Sequence, residues 1–193
     1  LSTFGMLGRT SRLKVFAPEC YASLFEQQMN FFMQGMTYEI EFVPVDTTQQ
    51  KVVYEDHSVT VETVPLRHRV PCCGYIFREK PTLPHIRRDM IDYYGIPLSQ
   101  INNIKNGADW TTPEGDIVPN SRLVEPADAP RSYAYCSDTC YLPDLYERVK
   151  DVTVLYHEST YTSENEDRAK IYYHSTARQA ALVAQKAGAG RLL

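Results

Sequence analysis

The sequence predicts a layered α/β fold with mixed sheets and outer helices. Three observations carry this. The first half is rich in strand-like segments. The last third alternates strands with helices. And "VTVLYH" (152–157) is a nearly continuous apolar run, of the kind found in strands buried on both faces.

The elements follow in order. "RLKVFAP" (12–18) reads as a strand and "CYASLFEQQMNFFMQ" (20–34) as a helix. "YEIEFVPV" (38–45), "KVVYED" (51–56) and "SVTVETVPLRH" (58–68) read as strands, the last with Val59, Val61 and Thr63 on one face. "CGYIFRE" (73–79) is another strand. From 80 to 130 the pattern loosens into two short helices, ending at Gly95 and near Gly107, and a turn-rich stretch around Pro113, Gly115 and Pro119. Order returns with a strand (131–138), a helix (142–150) and the apolar strand (152–157). "SENEDRAKIYY" follows as a helix with Ser163 as a cap.

The last helix lies in "YYHSTARQAALVAQKAG" (172–188). Ser175 or Thr176 caps it, and Gly188 is a natural stop. Ala177, Ala180, Ala181, Ala184 and Ala187 recur at helical spacing, which predicts one small apolar buried face. Capping does not explain His174. A helix N-terminus attracts anions, so His174 reads either as an exposed residue before a cap or as a proton donor beside a bound phosphate.

Composition bounds the function. With 193 residues, 43% hydrophobic and 23% charged, the chain is long enough for one sizeable core. A net charge of −4 excludes a uniformly basic nucleic-acid binder, so any such contact needs a local patch. No apolar run reaches membrane-spanning length, and there is no signal-peptide pattern. Five scattered cysteines form no disulfide framework, which points to a reducing cytoplasm. They also lack the paired C-x-x-C spacing of a thiolate zinc site.

Several polar residues fall at the ends of expected strands: His68 ("VPLRH"), Asp138 ("AYCSDT") and His157 ("VLYHEST"). Sites in layered α/β proteins gather beyond the carboxyl ends of strands, and His and Asp are metal-ligand types. Each has a plain alternative. His68 lies between Arg67 and Arg69 and fits a solvated basic loop, Asp138 fits a helix cap, and His157 with Glu158 fits a surface pair. His57 and His85 read as surface residues, and Asp56, Asp109 and Asp116 as turn residues.

Taken in order, "LRH", "CCGYIFRE", "YCSDT", "HEST" and "HSTARQAALVAQKAGAGRLL" resemble the ribonuclease Z family, the tRNA 3′-processing endonucleases of the metallo-β-lactamase superfamily. The opening "LSTFGMLGR" resembles the family segment after its first metal motif. The resemblance implies a metallo-β-lactamase αββα sandwich and two zinc ions. It implies that His68 is a zinc ligand and that Asp138 bridges both ions. His174 then matches the histidine thought to protonate the leaving oxygen, with Ser175 and Thr176 forming a helix end that faces phosphate. His157 and Glu158 match the HEAT motif, here with Ser159 in place of alanine, and Glu158 is a candidate partner for His174.

The resemblance also implies that parts are missing. The family's H-x-H-x-D-H motif belongs before Leu1, and its last histidine ligand after the strand that begins at residues 191–193. The expectation is therefore a single domain, 1–193, truncated at both ends, which binds zinc poorly and does not cleave by itself. The implied substrate of the complete protein is precursor tRNA, trimmed of its 3′ trailer to leave a 3′-hydroxyl. An arm at 80–107 would grip the tRNA, with Arg87, Arg88 and Lys105 on phosphates, and the family is commonly homodimeric. The competing classes are a metal-free tRNA-binding or scaffold protein of the same fold and a small-molecule zinc hydrolase.

Overall fold

A computed structural model describes residues 1–32 and 35–193, so Met33 and Gln34, the last two positions of the expected 20–34 helix, lie outside the described residues. The chain divides into two compact units, one of Leu1–Arg78 with Arg131–Leu193, the other of Glu79–Pro130.

The first unit begins with a short helix, α1 (Ser2–Met6), the strand β1 (Leu13–Pro18) and the helix α2 (Ala22–Phe32). Strands β2 (Ile40–Val45), β3 (Val52–Glu55), β4 (Val59–Pro65) and β5 (Cys73–Glu79) follow. The turn between β3 and β4 is closed by Asp56, whose Oδ1 accepts from Ser58 N at 2.7 Å and Val59 N at 2.8 Å. The strand expected at 58–68 stops at Pro65, and His68 sits three residues beyond it in a loop. Proline has no N–H to continue the ladder, and the sequence pattern overran it.

The second unit is built from very short pieces: β6 (His85–Ile86), α3 (Arg88–Tyr94), α4 (Leu98–Lys105), β7 (Trp110–Thr111), β8 (Ile117–Val118), α5 (Asn120–Leu123) and β9 (Val124–Glu125). β6 pairs with β9 and β7 with β8, both antiparallel. Ile96, Ile104, Val118 and Leu123 form its buried core. Asn120 ties the turns together, its Nδ2 donating to Ile104 O at 2.6 Å and Ala108 O at 2.9 Å. The two helices match the expectation; the four two-residue strands have no periodicity to reveal them.

The chain then returns to the first unit with β10 (Ser132–Cys136), α6 (Leu145–Arg148), β11 (Val154–His157), α7 (Glu166–Ile171) and α8 (Ala177–Ala187). The helix expected at 142–150 is only four residues long, and Ser163 begins a short 3₁₀ turn before α7, with no side-chain cap at its N-terminal residue Thr162. A five-stranded mixed sheet runs in the order β11-β10-β5-β4-β3. β10 and β11 are parallel, with Cys136 opposite His157, while β5 is antiparallel to β10. Gly74 permits that pairing, since a Cβ there would collide with the Tyr135 carbonyl oxygen. Residues 191–193 run beside β11, with Leu193 N donating to Leu155 O at 2.9 Å.

One face of this sheet packs on α6 and α8 through Val64, Ile76, Ala134, Leu155, Leu145 and Val183. The other faces the parallel pair β1–β2, where Tyr75 Oη donates to Phe16 O at 3.2 Å and Phe16 meets Tyr54 edge-on. α2 covers β2 through Phe25 and Phe42. The layers are thus helix, sheet, sheet, helix. The buried face of α8 is Ala180, Val183, Ala184 and Ala187, with Ala177 and Ala181 exposed. At 100° per residue those two lie well away from the centre of that face.

Candidate active site

Loops from four places meet beyond the ends of β10 and β11. The parallel pairing of these strands delivers residues 137–140 and 158–160 to one edge of the sheet. The loop after β4 is stitched to the first of them, with Arg67 N donating to Thr139 Oγ1 at 3.1 Å and Cys140 N to Arg67 O at 2.8 Å. The turn between α7 and α8 adds His174, Ser175 and Thr176.

Glu158 is the centre of this cluster. Its side chain is buried. Oε1 accepts from Thr139 N at 3.2 Å, Ser175 N at 3.0 Å and His174 Nδ1 at 2.9 Å. Oε2 accepts from Thr160 N at 2.9 Å and Thr160 Oγ1 at 2.8 Å. Burial alone pushes the carboxyl pKa up, but the hydrogen bonds from Thr160, Thr139 and His174 outweigh it and hold the group below its ordinary range. Glu158 is therefore an ionised carboxylate at neutral pH.

His174 stands on this carboxylate with a fixed ring. A carboxylate only accepts, so Nδ1 carries hydrogen and Nε2 lies on the opposite edge of the ring. The side chain is 20% exposed. Its ring meets that of His68 at 5.0 Å between centroids, edge to face. His68 Nδ1 lies 3.0 Å from Tyr173 O, and since a carbonyl cannot donate, Nδ1 again carries hydrogen and Nε2 lies on the opposite edge of the ring.

The other expected residues are placed differently. Asp138 is exposed, two residues past β10. Its carbonyl oxygen accepts from Cys72 Sγ at 3.5 Å. His157 is 2% exposed, with Nδ1 2.7 Å from its neighbour's carbonyl and Nε2 buried without a hydrogen-bond partner. Burial pushes its pKa down, so it stays neutral in the core, with no path to a substrate. Ser175 and Thr176 are both fully buried. Ser175 Oγ donates to Thr139 O at 2.8 Å, and Thr176 closes a capping box with Gln179. Their hydroxyls face inward because the helix start is used to bind Glu158 and the chain itself, so they present nothing to a phosphate. Arg87 is ion-paired with Asp89 at 2.6 Å and Arg88 with Asp92 at 3.7 Å, while Lys105 lies half-buried in the last turn of α4.

Zinc prefers three or four ligands of the His, Cys and carboxylate types. His68 presents a suitable free Nε2, with its other nitrogen held by a carbonyl as in known ligand histidines. Yet among the described residues no group of three or more His, Cys, Asp or Glu is placed to hold a metal. The thiols nearby do not help: burial, with Cys73 and Asp138 adding to it, pushes the Cys72 pKa up to about 11. These residues do not by themselves fit a metal ion.

Comparison with known proteins decides the family likeness. No family model matches the chain. Ribonuclease Z of Bacteroides fragilis (strain YCH46) is 48% identical over 193 residues, 100% of this chain and 64% of that protein. Throughout its length the chain is similar to ribonuclease Z. The enzyme of that name from Porphyromonas gingivalis (strain W83) is 42% identical over the same span. The chain thus covers 64% of the length of these relatives. Among solved structures, the short form of human tRNase Z superposes with a TM-score of 0.58 at 15% identity, covering 94% of this chain and 58% of that one. A metallo-β-lactamase fold protein from Bacillus subtilis gives 0.55 at 13%, covering 98% and 54%. The helix–sheet–sheet–helix layering is therefore part of a metallo-β-lactamase fold.

One residue of the site carries little sign in the sequence: Tyr173, whose carbonyl orients His68. Its position ahead of His174 in "YYHST" was the only available signal.

Proposed function

We propose that the complete protein is a metal-dependent endoribonuclease of the ribonuclease Z type, acting on precursor tRNA to remove the 3′ trailer and leave a 3′-hydroxyl. The observation that carries this is the Glu158–His174 pair at 2.9 Å, in a chain 48% identical to a ribonuclease Z. Cleavage that leaves a 3′-hydroxyl breaks the bond from phosphorus to the ribose 3′-oxygen as a water oxygen bonds to phosphorus. The departing oxygen needs a proton. His174 donates it from Nε2, while Glu158 on Nδ1 fixes the direction of the ring. Ser175 and Thr176 serve by shaping the turn.

Two zinc ions are part of the proposal for the complete protein, with His68 and Asp138 contributing to a ligand set that the described residues alone do not complete. These 193 residues by themselves then hold zinc poorly and do not cleave. A metal-free RNA-binding role is favoured for the chain taken alone by that same incomplete ligand set. The test is cleavage of a precursor tRNA by the complete protein, with and without chelator. Zinc-dependent release of the trailer supports the enzyme; RNA binding without cleavage supports the metal-free role.

The unit Glu79–Pro130 is proposed as the tRNA-gripping arm, larger than the expected 80–107. It carries five Lys and Arg against eight Asp and Glu, so phosphate contact must be local. Arg87 and Arg88 would exchange exposed ion pairs, worth little in water, for phosphates. The proposed homodimer is supported by exposed apolar side chains at the first two helices, Met6, Leu7, Phe31 and Phe32. A cytoplasmic location fits the odd, unpaired thiols, and no helix among the described residues is long and apolar enough to cross a membrane.

A further inference from the structure

The turn ahead of His174 is built on an unusual residue. α7 ends at Ile171, and His174 N returns to Ala169 O at 2.8 Å, wrapping the chain over Tyr173. Tyr173 has φ 60. That left-handed position after a helix ordinarily belongs to glycine. A bulky aromatic there is strained, and such strain gathers at functional sites. The Tyr173 carbonyl that holds His68 would be equally available from glycine. The carbonyl contact therefore gives no reason for a side chain at this position.

That ring has a definite setting. The Arg67 guanidinium lies 5.9 Å from its centroid. Both residues line an open cavity of about 680 Å³, together with Tyr141, Lys170 and His174. The cavity is therefore continuous with the proposed proton donor. Glu166 and Asp167 also line it, and their carboxylates repel phosphate but tolerate a neutral ring. Aromatic and guanidinium faces bind nucleobases by stacking, with little regard to base identity.

We propose that the Tyr173 ring and the Arg67 guanidinium form a stacking subsite for the nucleobase next to the scissile phosphate. The inference rests on the ribonuclease reading above. It assigns to this cavity a base rather than the sugar–phosphate backbone, and it gives Tyr173 contact with the substrate.

The test uses the complete protein with three RNAs: an intact precursor tRNA and two with an abasic nucleotide on either side of the cleavage point. Tyr173→Gly suits the left-handed backbone and keeps the carbonyl while removing the ring. Tyr173→Asn, which also tolerates that backbone, is the second variant. Wild type should bind one abasic RNA about tenfold more weakly than the intact one. Tyr173→Gly should bind intact RNA about tenfold more weakly and then ignore that same abasic replacement. Arg67→Gln should show a smaller loss with the same pattern. Wild-type affinity in both Tyr173 variants would overturn the subsite, as would a loss that adds in full to the abasic loss at both positions. Wild-type protein that neither binds nor cleaves the intact RNA would instead overturn the ribonuclease reading, and the subsite with it.

Discussion

The loop cluster around Glu158 and the unit Glu79–Pro130 use charge in opposite ways. In the cluster one buried carboxylate collects five hydrogen bonds from four residues spread over the last third of the chain. In the unit, two of the arginines are paired with acids two and four residues away, at the surface. The first arrangement is long-range, desolvated and fixed in geometry. The second is local and solvated. A fixed group suits chemistry, because a proton donor must be aimed. Loosely paired surface cations suit a contact that exchanges one anion for another.

The difference is open to test, and the largest effect falls on the cluster. Glu158→Ala leaves the N–H groups of Thr139 and Ser175 buried without a partner, so it should destabilise the fold by about 3 kcal/mol or more. Urea denaturation reads this, and a loss within the error of the extrapolation would remove Glu158 from the centre of the cluster. Core truncation gives a second contrast. Ile104→Ala should cost about 2–5 kcal/mol. Because the fully buried part of that core is small among the described residues, Ile96, Val118 and Leu123 with a partly buried ring that includes Trp110 and Tyr94, hydrogen exchange should rise across 79–130. Leu155→Ala, in the larger core, should cost a similar amount and raise exchange along β10 and β11.

Much of this contrast was hidden in the sequence, and particular residues show why. The apolar strand ending at His157 and the helix Ala177–Ala187 were readable, because their periodicity and cap are local. The sequence also brought His68, Glu158 and His174 forward as candidates. It did not show that Glu158 is the hub, since three of its five bonds come from residues Thr139, His174 and Ser175, and only folding decides whether a carboxylate is buried. Ser175 and Thr176 illustrate the reverse. A hydroxyl before a helix satisfies either a ligand or the chain itself, and here both are used internally. His157 looked like a site residue because it ends a strand, yet its register opposite Cys136 turns it into the core.

Smaller effects sharpen the picture. The pKa of His157 is lowered in the folded state, by burial first, so the unfolded chain takes up a proton there more readily. Its contribution is complete above the unfolded value near 6.5 and is lost as pH falls below it. Glu158, also lowered, adds a second loss beginning below about 4.5. Stability measured from pH 8 down to pH 3 should therefore decline in two stages, and His157→Leu should flatten the first. A variant with an unchanged first stage would mean that another group controls it. Thr176→Ala removes the α8 cap and should cost about 1 kcal/mol. Arg88→Ala should change stability by less than about 0.5 kcal/mol, yet lower tRNA affinity and reduce its salt slope by about one unit if Arg88 meets a phosphate. An unchanged slope would take Arg88 out of the contact.

The central claim is that His174, held by Glu158, gives a proton to the departing 3′-oxygen. The most direct measurement compares His174→Ala with wild-type complete protein on two precursor RNAs, one normal and one with sulfur in place of that bridging 3′-oxygen. A thiolate leaves without a proton, so it needs no donor. The account predicts that His174→Ala lowers kcat on the normal RNA by about 10²–10⁴-fold and leaves the rate on the sulfur-bridged RNA near wild type. An equal loss on both would contradict it, and would reduce His174 to a residue that shapes the site.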